Sequence, residues 1–510
     1  MSVLQRFSIT LIFVVILTGC SSLPDQVIHQ TSLITANETS PLYDLTNSYW
    51  LDKDIPETSA VLIQDDGWNA LAQRLALIET AKYSIDIQYY IWNSDNSGLY
   101  LAQRLKAAAD RGVKVRVMLD DINLNQRENV LAKLDNHPHI DIRIFNPTPS
   151  RDGLSKWLSF VGDFSRLNRR MHNKSFTVDG VLSVVGGRNI GDEYFDLSDE
   201  INFRDRDALV MGSAVSEIQT SFAAYWDSRW SYPINLLTDN TSVELSAIPL
   251  VKAPHYQHYP PLPQDNESAN LFLHALIDKL IPVEATFIYD LPVPVNSSNT
   301  DTPKKTAKLL AELGHNAQQQ ILIESAYLIF DKRQLAALKI LIDNDIQIKA
   351  LTNSMASNDL LANHSGYAGK RHAMLKNGIQ LFELKPESEL CEVSTKDIDK
   401  CVPNVAFGLH AKSAVFDRKI ATIGSFNFNL RSTYLNTESV LVINNEQVAN
   451  TLADHIEQAM QENNSWQLNL ENGDIYWRSG TQSWTSDPET GQWERIKSKF
   501  IQLLPIEKYL

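Results

Sequence analysis

The chain has 510 residues, too many for one ordinary domain and enough for two or three. Hydrophobic residues make up 43% and charged residues 21%, which excludes a disordered chain. Its 46 basic residues stand against 61 acidic ones, net −15, and this weighs against a nucleic-acid partner, whose binders present a basic surface.

The first twenty residues read MSVLQRFSITLIFVVILTGC. Arg6 supplies a positive start, and 7–17 form an apolar core too short to span a bilayer but suited to a signal peptide. Leu17-Thr18-Gly19-Cys20 resembles a bacterial lipobox, so 1–20 reads as a lipoprotein signal peptide and Cys20 as the lipid anchor. Ser21, not Asp, follows, which favours the outer membrane over the inner. The expected location is the cell envelope, lipid-anchored and facing the periplasm. Export implies an oxidising compartment. Cys391 and Cys401, ten positions apart, are then expected to form a disulfide. By the chain-entropy account it contributes on the order of 2–3 kcal/mol.

Residues 21–59 are polar and read as a tether. A first unit is expected over 60–232. Within it 68–81 has helical apolar spacing, 83–91 alternates as a strand, 98–111 is a helix stopped by Gly112, and 113–119 and 140–145 are strands. Alternating helices and strands predict an α/β sheet with covered faces. Strands are expected at 176–178 and 182–185, joined by a two-residue turn at Asp179-Gly180. A single strand is expected over 202–211 and a helix over 215–230, whose Phe222, Tyr225, Trp226 and Trp230 read as core. Two histidine pairs, His137/His139 and His255/His258, sit in polar or Pro-flanked segments and read as surface.

Residues 233–302, rich in Pro, Ser, Asn and Thr, read as a connector, and the order of elements then repeats over a second unit, 303–463. TAKYSIDIQYYIW resembles NAQQQILIESAYLIF, GVKVRVMLDD resembles DIQIKALTNS, and HIDIRIF resembles GIQLFEL. Residues 464–510 form a C-terminal extension, with a strand pair and a helix over 493–503. Its tryptophans are expected to pack on the body rather than enter a membrane.

The strongest repeat is polar. HNKSFTVDGVLSVVGGRN (172–189) and HAKSAVFDRKIATIGSFN (410–427) share His172/His410, Lys174/Lys412, Asp179/Asp417 and Asn189/Asn427 at identical spacing, 238 residues apart. A His and a Lys two apart on a strand share a face. Two facing pairs supply two imidazoles, two ammonium groups and two amides, a set apt for a phosphodiester. Lysines and asparagines would hold the non-bridging oxygens as charge builds on phosphorus. One imidazole can attack phosphorus and the other can act as acid and then base, which requires them to start in different protonation states. No metal or other cofactor is expected: each copy has one histidine, lysine is a poor ligand, and the lysines supply the charge.

These motifs resemble those of the phospholipase D superfamily, departing only at Gly187, where Ser is commoner. The likeness spans roughly 60–461, and GGRNIGDEYF with the leader resembles bacterial cardiolipin synthases of the C type. The resemblance implies an α/β fold of two tandem phospholipase D-like units, each a mixed β-sheet flanked by helices, sharing one active site at their interface. It implies catalysis by His172, Lys174, Asn189, His410, Lys412 and Asn427, with His172 as nucleophile and His410 as acid/base. Each histidine needs a carboxylate to fix its tautomer. The candidates are Asp205, taken as support for His172 with Asp207 as its rival, and Glu438, both expected on strands. Asp179 and Asp417 are assigned to the hairpin turns. Arg188 and Arg431 are open between lipid phosphate and ion pairing. The implied reaction is phosphatidyl transfer between phospholipids, giving cardiolipin. The substrates would be phosphatidylglycerol, with or without phosphatidylethanolamine, met at a membrane surface. Hydrolysis to phosphatidic acid, nucleic-acid phosphodiester cleavage and a non-catalytic lipoprotein are the alternatives.

Overall fold

The computed structural model describes residues 23–25, 33–53, 58–124, 128–149, 163–237, 249–292, 302–504 and 506–510. The leader and Cys20 lie outside the described residues. No described helix is long and apolar enough to cross a membrane.

The first half holds β1 (Ser59–Gln64), β2 (Ser84–Tyr89), β3 (Lys114–Asp120), β4 (Ile140–Phe145), β5 (Ser175–Val178), β6 (Leu182–Gly186), β7 (Ile201–Arg204), β8 (Asp207–Gly212) and β9 (Ser231–Pro233). The second holds β10 (Ile281–Tyr289), β11 (Gln320–Ser325), β12 (Gln347–Asn353), β13 (Gln380–Leu384), β14 (Ala406–Leu409), β15 (Lys412–Phe416), β16 (Ile420–Gly424) and β17 (Ser439–Asn444). The tail adds β18 (Ser465–Glu471), β19 (Asp474–Ser479) and β20 (Gln482–Trp484).

Among the described residues, eighteen strands make one sheet. Their registers give the order β9-β4-β3-β2-β5-β6-β8-β1-β10-β17-β16-β15-β11-β12-β13-β18-β19-β20. The order is symmetric about the antiparallel pair β1–β10, where Ala60 faces Pro282. Parallel β4-β3-β2 is matched by parallel β13-β12-β11, and β5-β6-β8 by β15-β16-β17. The second half's counterpart of β1 is therefore β10, inside the stretch read from sequence as a connector. Its Pro282 and polar flanks disguise it, since Pro inside a run argues against a strand.

Local chemistry explains the element ends. Helix Gly67–Thr80 starts where Asp66 accepts from the Asn69 amide at 2.7 Å. Asp331 and Gln334 form a reciprocal capping box at the start of helix Lys332–Asp343. Both hairpin loops carry three residues rather than two: Val178 faces Leu182, and Phe416 faces Ile420. Asp179, Asp417 and Arg418 adopt positive φ there, as does Gly180.

The expected strand over 202–211 is broken at Asp205-Arg206 into β7 and β8. β7 leaves the large sheet and pairs in parallel with β14 of the other half. Helices Ser213–Trp226 and Glu446–Ala459 contribute to one apolar cluster drawn from both halves, including Val61, Val185, Ile218, Leu441, Leu452 and Ile456. Burying that shared surface holds the halves together. Phe222, Tyr225, Trp226 and Trp230 are core.

Other expectations are revised. Residues 41–53, read as tether, form a helix that buries Leu42, Leu45, Tyr49 and Trp50. His137 is buried, its Nε2 3.1 Å from Asp110, while His139, His255 and His258 are exposed. The tail has three strands, because β18 also extends the main sheet at β13. Trp466 and Trp477 pack inward, but Trp493 is exposed. Cys391 and Cys401 are joined as a disulfide.

Candidate active site

His172 and His410 each precede a strand rather than lying in one, at the seam between halves. The His172 amide donates to Thr437 O at 2.9 Å, and the His410 amide donates to Arg204 O at 2.8 Å. Each histidine is thus held by the backbone of the opposite half, one residue before that half's buried acid.

The side chains repeat the crossing. His172 Nδ1 donates to Glu438 Oε2 at 2.8 Å. His410 Nδ1 donates to Asp205 Oδ2 at 2.5 Å. Asp205 therefore supports His410 and not His172, and Glu438 supports His172. The assignment from sequence paired each acid with its own half, because proximity in the chain was the only guide. Asp205 sits in the break between β7 and β8, and Glu438 just before β17, so neither acid is in a strand as expected. Asp207 lies elsewhere, paired with Arg74 and Arg188.

The two acids are supported differently. Glu438 accepts from Ser425 Oγ at 2.5 Å and from Ser432 Oγ at 2.6 Å. Asp205 accepts from the Arg206 amide at 2.7 Å. Gly187 occupies the position that Ser425 has in the second copy. A Cβ there would lie 2.6 Å from Asp205 Oδ1 and 3.1 Å from Lys412 Cδ. The departure from the commoner Ser has a steric cause.

Lys174 Nζ donates to His172 O at 2.6 Å, and Lys412 Nζ donates to His410 O. The Asn189 side-chain oxygen accepts from the Ile91 amide at 3.3 Å. The Asn189 amide nitrogen and the Asn427 amide oxygen are buried and have no partner among the described residues. Such groups await a ligand or bound water.

Burial dominates the electrostatics. It lowers Lys174 to about 7, with the Lys412 charge adding to the effect, and lowers Lys412 to about 8. It likewise lowers His172 to about 4 and His410 to about 3, helped by lysine charge and opposed by the acids. Burial pushes Asp205 and Glu438 upward, but the facing histidines and lysines outweigh it and keep both below their ordinary values. Near neutral pH the site therefore holds two neutral imidazoles, two carboxylates and two weakened ammonium groups. Sequence had called for histidines in different protonation states; here the difference must arise when substrate binds.

Asp179 accepts from three successive amides, Lys82, Tyr83 and Ser84, at 2.8 to 3.1 Å. Asp417 does the same for Gln318, Gln319 and Gln320 at 2.7 to 3.0 Å. Each fixes the entry to the strand beside its motif. Arg188 is buried on Asp207, Asp65 O and Asp205 O, and half-buried Arg431 donates to Asn168 and Tyr509 O, so both are engaged in ion pairing or hydrogen bonds within the protein.

Residues not singled out from sequence also line the site. Tyr90 meets His172 edge-on at 4.8 Å and Tyr194 meets His410 at 5.1 Å. Tyr327 OH donates to Asp359 at 2.9 Å, within the field of Lys412. Their only sequence signal is a position just after a strand end or motif.

The fold is of the phospholipase D type. The family described as "Cardiolipin synthase, PLD-like domain" matches residues 75–226 and 310–460, and the chain belongs to it. A cardiolipin synthase C of Escherichia coli K12 is 37% identical over 448 residues, covering 86% of this chain and 93% of that one. An uncharacterised protein of Helicobacter pylori J99 is 31% identical, covering 89% of this chain and 90% of its own. A crystal structure of a phosphatidylserine synthase from Haemophilus influenzae shares the fold, with TM-score 0.55 and 12% identity, covering 91% of this chain and all of that one.

Proposed function

We propose that this phospholipase D-type phosphatidyltransferase makes cardiolipin from two phospholipids through a phosphohistidine at His172. The observation that carries the reading is the crossed pair His172–Glu438 and His410–Asp205, with both lysines within reach of these charges and of each other.

Because Nδ1 of each ring is engaged by a carboxylate, Nε2 of each is left for the substrate. A phosphatidylglycerol phosphate enters between Lys174 and Lys412. Its negative charge offsets theirs, which raises both imidazoles and lets His410 hold a proton. His172 Nε2 attacks phosphorus, the bond from phosphorus to the glycerol oxygen breaks, and His410 gives that oxygen its proton. Glycerol leaves and phosphatidyl-His172 remains. His410, now neutral, takes the proton of a second lipid's headgroup hydroxyl. That oxygen attacks phosphorus, the P–N bond breaks, and cardiolipin departs. Asn189, through its unpartnered amide nitrogen, and Asn427, through its side-chain NH2, donate to the non-bridging oxygens. The choice of His172 as nucleophile rests on family likeness. Placement on the periplasmic side through an acylated Cys20 belongs to the same proposal, supported by the leader and by the Cys391–Cys401 disulfide.

The test is product analysis of the purified protein on phosphatidylglycerol vesicles, with and without phosphatidylethanolamine. Cardiolipin is expected. Phosphatidic acid as the sole lipid product would make the protein a hydrolase.

A further inference from the structure

Helix Gln492–Ile501 packs the wrong way round for a helix of a soluble body. Its outward residues Trp493, Ile496 and Phe500 are 75%, 53% and 67% exposed, and Leu503 and Leu504 in the following turn are 80% and 42% exposed. They recur at three- and four-residue steps and so share one face. The side turned to the protein is largely polar, with Ile501 alone half-buried among the helix's apolar residues: buried Ser498 Oγ sits 3.0 Å from Ser365 Oγ, and the stem of exposed Gln502 lies over Gly369. Helix Glu446–Ala459, by contrast, turns Val448, Leu452 and Ile456 inward. Apolar exposure of this kind marks a binding surface.

Charge selects the occupant. Residues 492–510 carry four basic residues against two acidic, in a chain of net −15. Lys497 and Lys499 fall on either flank of the apolar stripe, where their stems can lie along it and their ammonium groups reach anionic headgroups. Tryptophan at the rim suits the same boundary. The segment is also tied to the site: Tyr509 O accepts from Arg431 at 3.1 Å, and Arg431 follows Asn427 by four residues.

We infer that helix Gln492–Ile501 is an interfacial helix that seats the enzyme on an anionic phospholipid bilayer through Trp493, Ile496, Phe500, Leu503 and Leu504. The choice of a bilayer as occupant rests on the lipid-transfer reading; the inverted helix does not.

A nitroxide at Phe500→Cys in the full chain, with Cys20→Ser to leave one reactive thiol, tests it on phosphatidylglycerol–phosphatidylcholine vesicles. The label should become accessible to oxygen and shielded from a water-soluble paramagnetic ion, while a label at Lys339→Cys stays aqueous. A label at 500 that stays aqueous would overturn the inference. So would one shielded from both agents, since that means protein covers the face. In unlabelled protein, Phe500→Asp with Leu503→Asp should lower turnover on vesicles about tenfold relative to turnover in mixed detergent micelles. Equal loss in both would make the helix merely structural. An immersed label on a protein that turns over no phospholipid would remove the transfer reading and leave this one standing.

Discussion

Asp205 accepts from His410 across the seam between the two halves, 2.5 Å apart and both buried. Glu438 does the same for His172 from the other side. Neither half can orient its own histidine, so the site exists only when the halves are docked. Asp205→Asn should therefore lower kcat by about 10²- to 10⁴-fold, the worth of acid–base assistance. The discriminating readout is the ¹⁵N spectrum of the imidazoles. Asp205→Asn should shift the tautomer signal of His410 and leave His172 in place, and Glu438→Gln should do the reverse. Movement of His172 in the Asp205 variant would break the crossed assignment.

Gly187 leaves room for Asp205 and Lys412. Gly187→Ala puts a methyl group into the carboxylate, and either the acid or the Lys412 stem must move. A shift of about 1 Å at such a site costs on the order of 10² in rate. Ser425→Ala removes a hydroxyl that donates to Glu438 at 2.5 Å, but Ser432 still donates at 2.6 Å. Its loss should be smaller, about tenfold. Steady-state kinetics on both variants decide the order. An alanine at 187 that leaves kcat intact would refute the steric account.

The duplicated spacing of His, Lys and Asn was legible because it is local: each motif is one hairpin, and eighteen residues suffice to show it. The partner of each histidine was not legible, because it comes from the other half and no local pattern records a contact 205 or 266 residues away. NFRDRDALV alternates like one strand, and the break between β7 and β8 goes with contacts across the seam, Asp205 with His410 and β7 with β14. Helix Pro41–Lys53 did carry a signal, Leu42, Leu45 and Tyr49 at helical steps, masked by polar neighbours. The start of helix Leu361–Lys376 carried none: its Asn, His, Ser and Gly are poor helix formers, held by packing on helix Gln492–Ile501.

Burial weakens the two lysines that would hold the phosphate, to about 7 and about 8. Their charged forms prevail below those values and are lost as pH rises through them. Since kcat/KM reports the free enzyme, it should decline on the alkaline side with a midpoint between about 7 and about 8. The imidazole of His172, the proposed nucleophile, stays neutral down to about 4, so the acid limb should lie below pH 5. An alkaline limb near pH 10 would mean lysines of ordinary basicity.

His172→Ala and His410→Ala should each reduce turnover to background, about 10⁴-fold or more, and neither should be rescued by a divalent cation. Chelator should leave the wild-type rate unchanged, since lysines carry the charge that a metal would. With His410→Ala, rapid quenching on labelled phosphatidylglycerol should find any trapped phosphatidyl group on His172. Label on His410 in the converse variant would exchange the two roles.

Arg371 ties the tail to the second half. It donates to Glu383 at 2.9 Å and to Asp487 at 2.6 Å, and Trp477 Nε1 donates to the other Glu383 oxygen at 2.8 Å. All three charged groups are buried. Removing the guanidinium takes the shared cation from two buried carboxylates, although His364 Nε2 still lies 3.5 Å from Asp487, and this costs about 3–5 kcal/mol. Arg371→Ala should lower Tm and loosen the tail to proteolysis before the active-site half is cut. Adding Glu383→Gln and Asp487→Asn should recover part of the loss, because no buried charge then remains unpaired. A Tm unchanged in Arg371→Ala would show that the pair contributes nothing net.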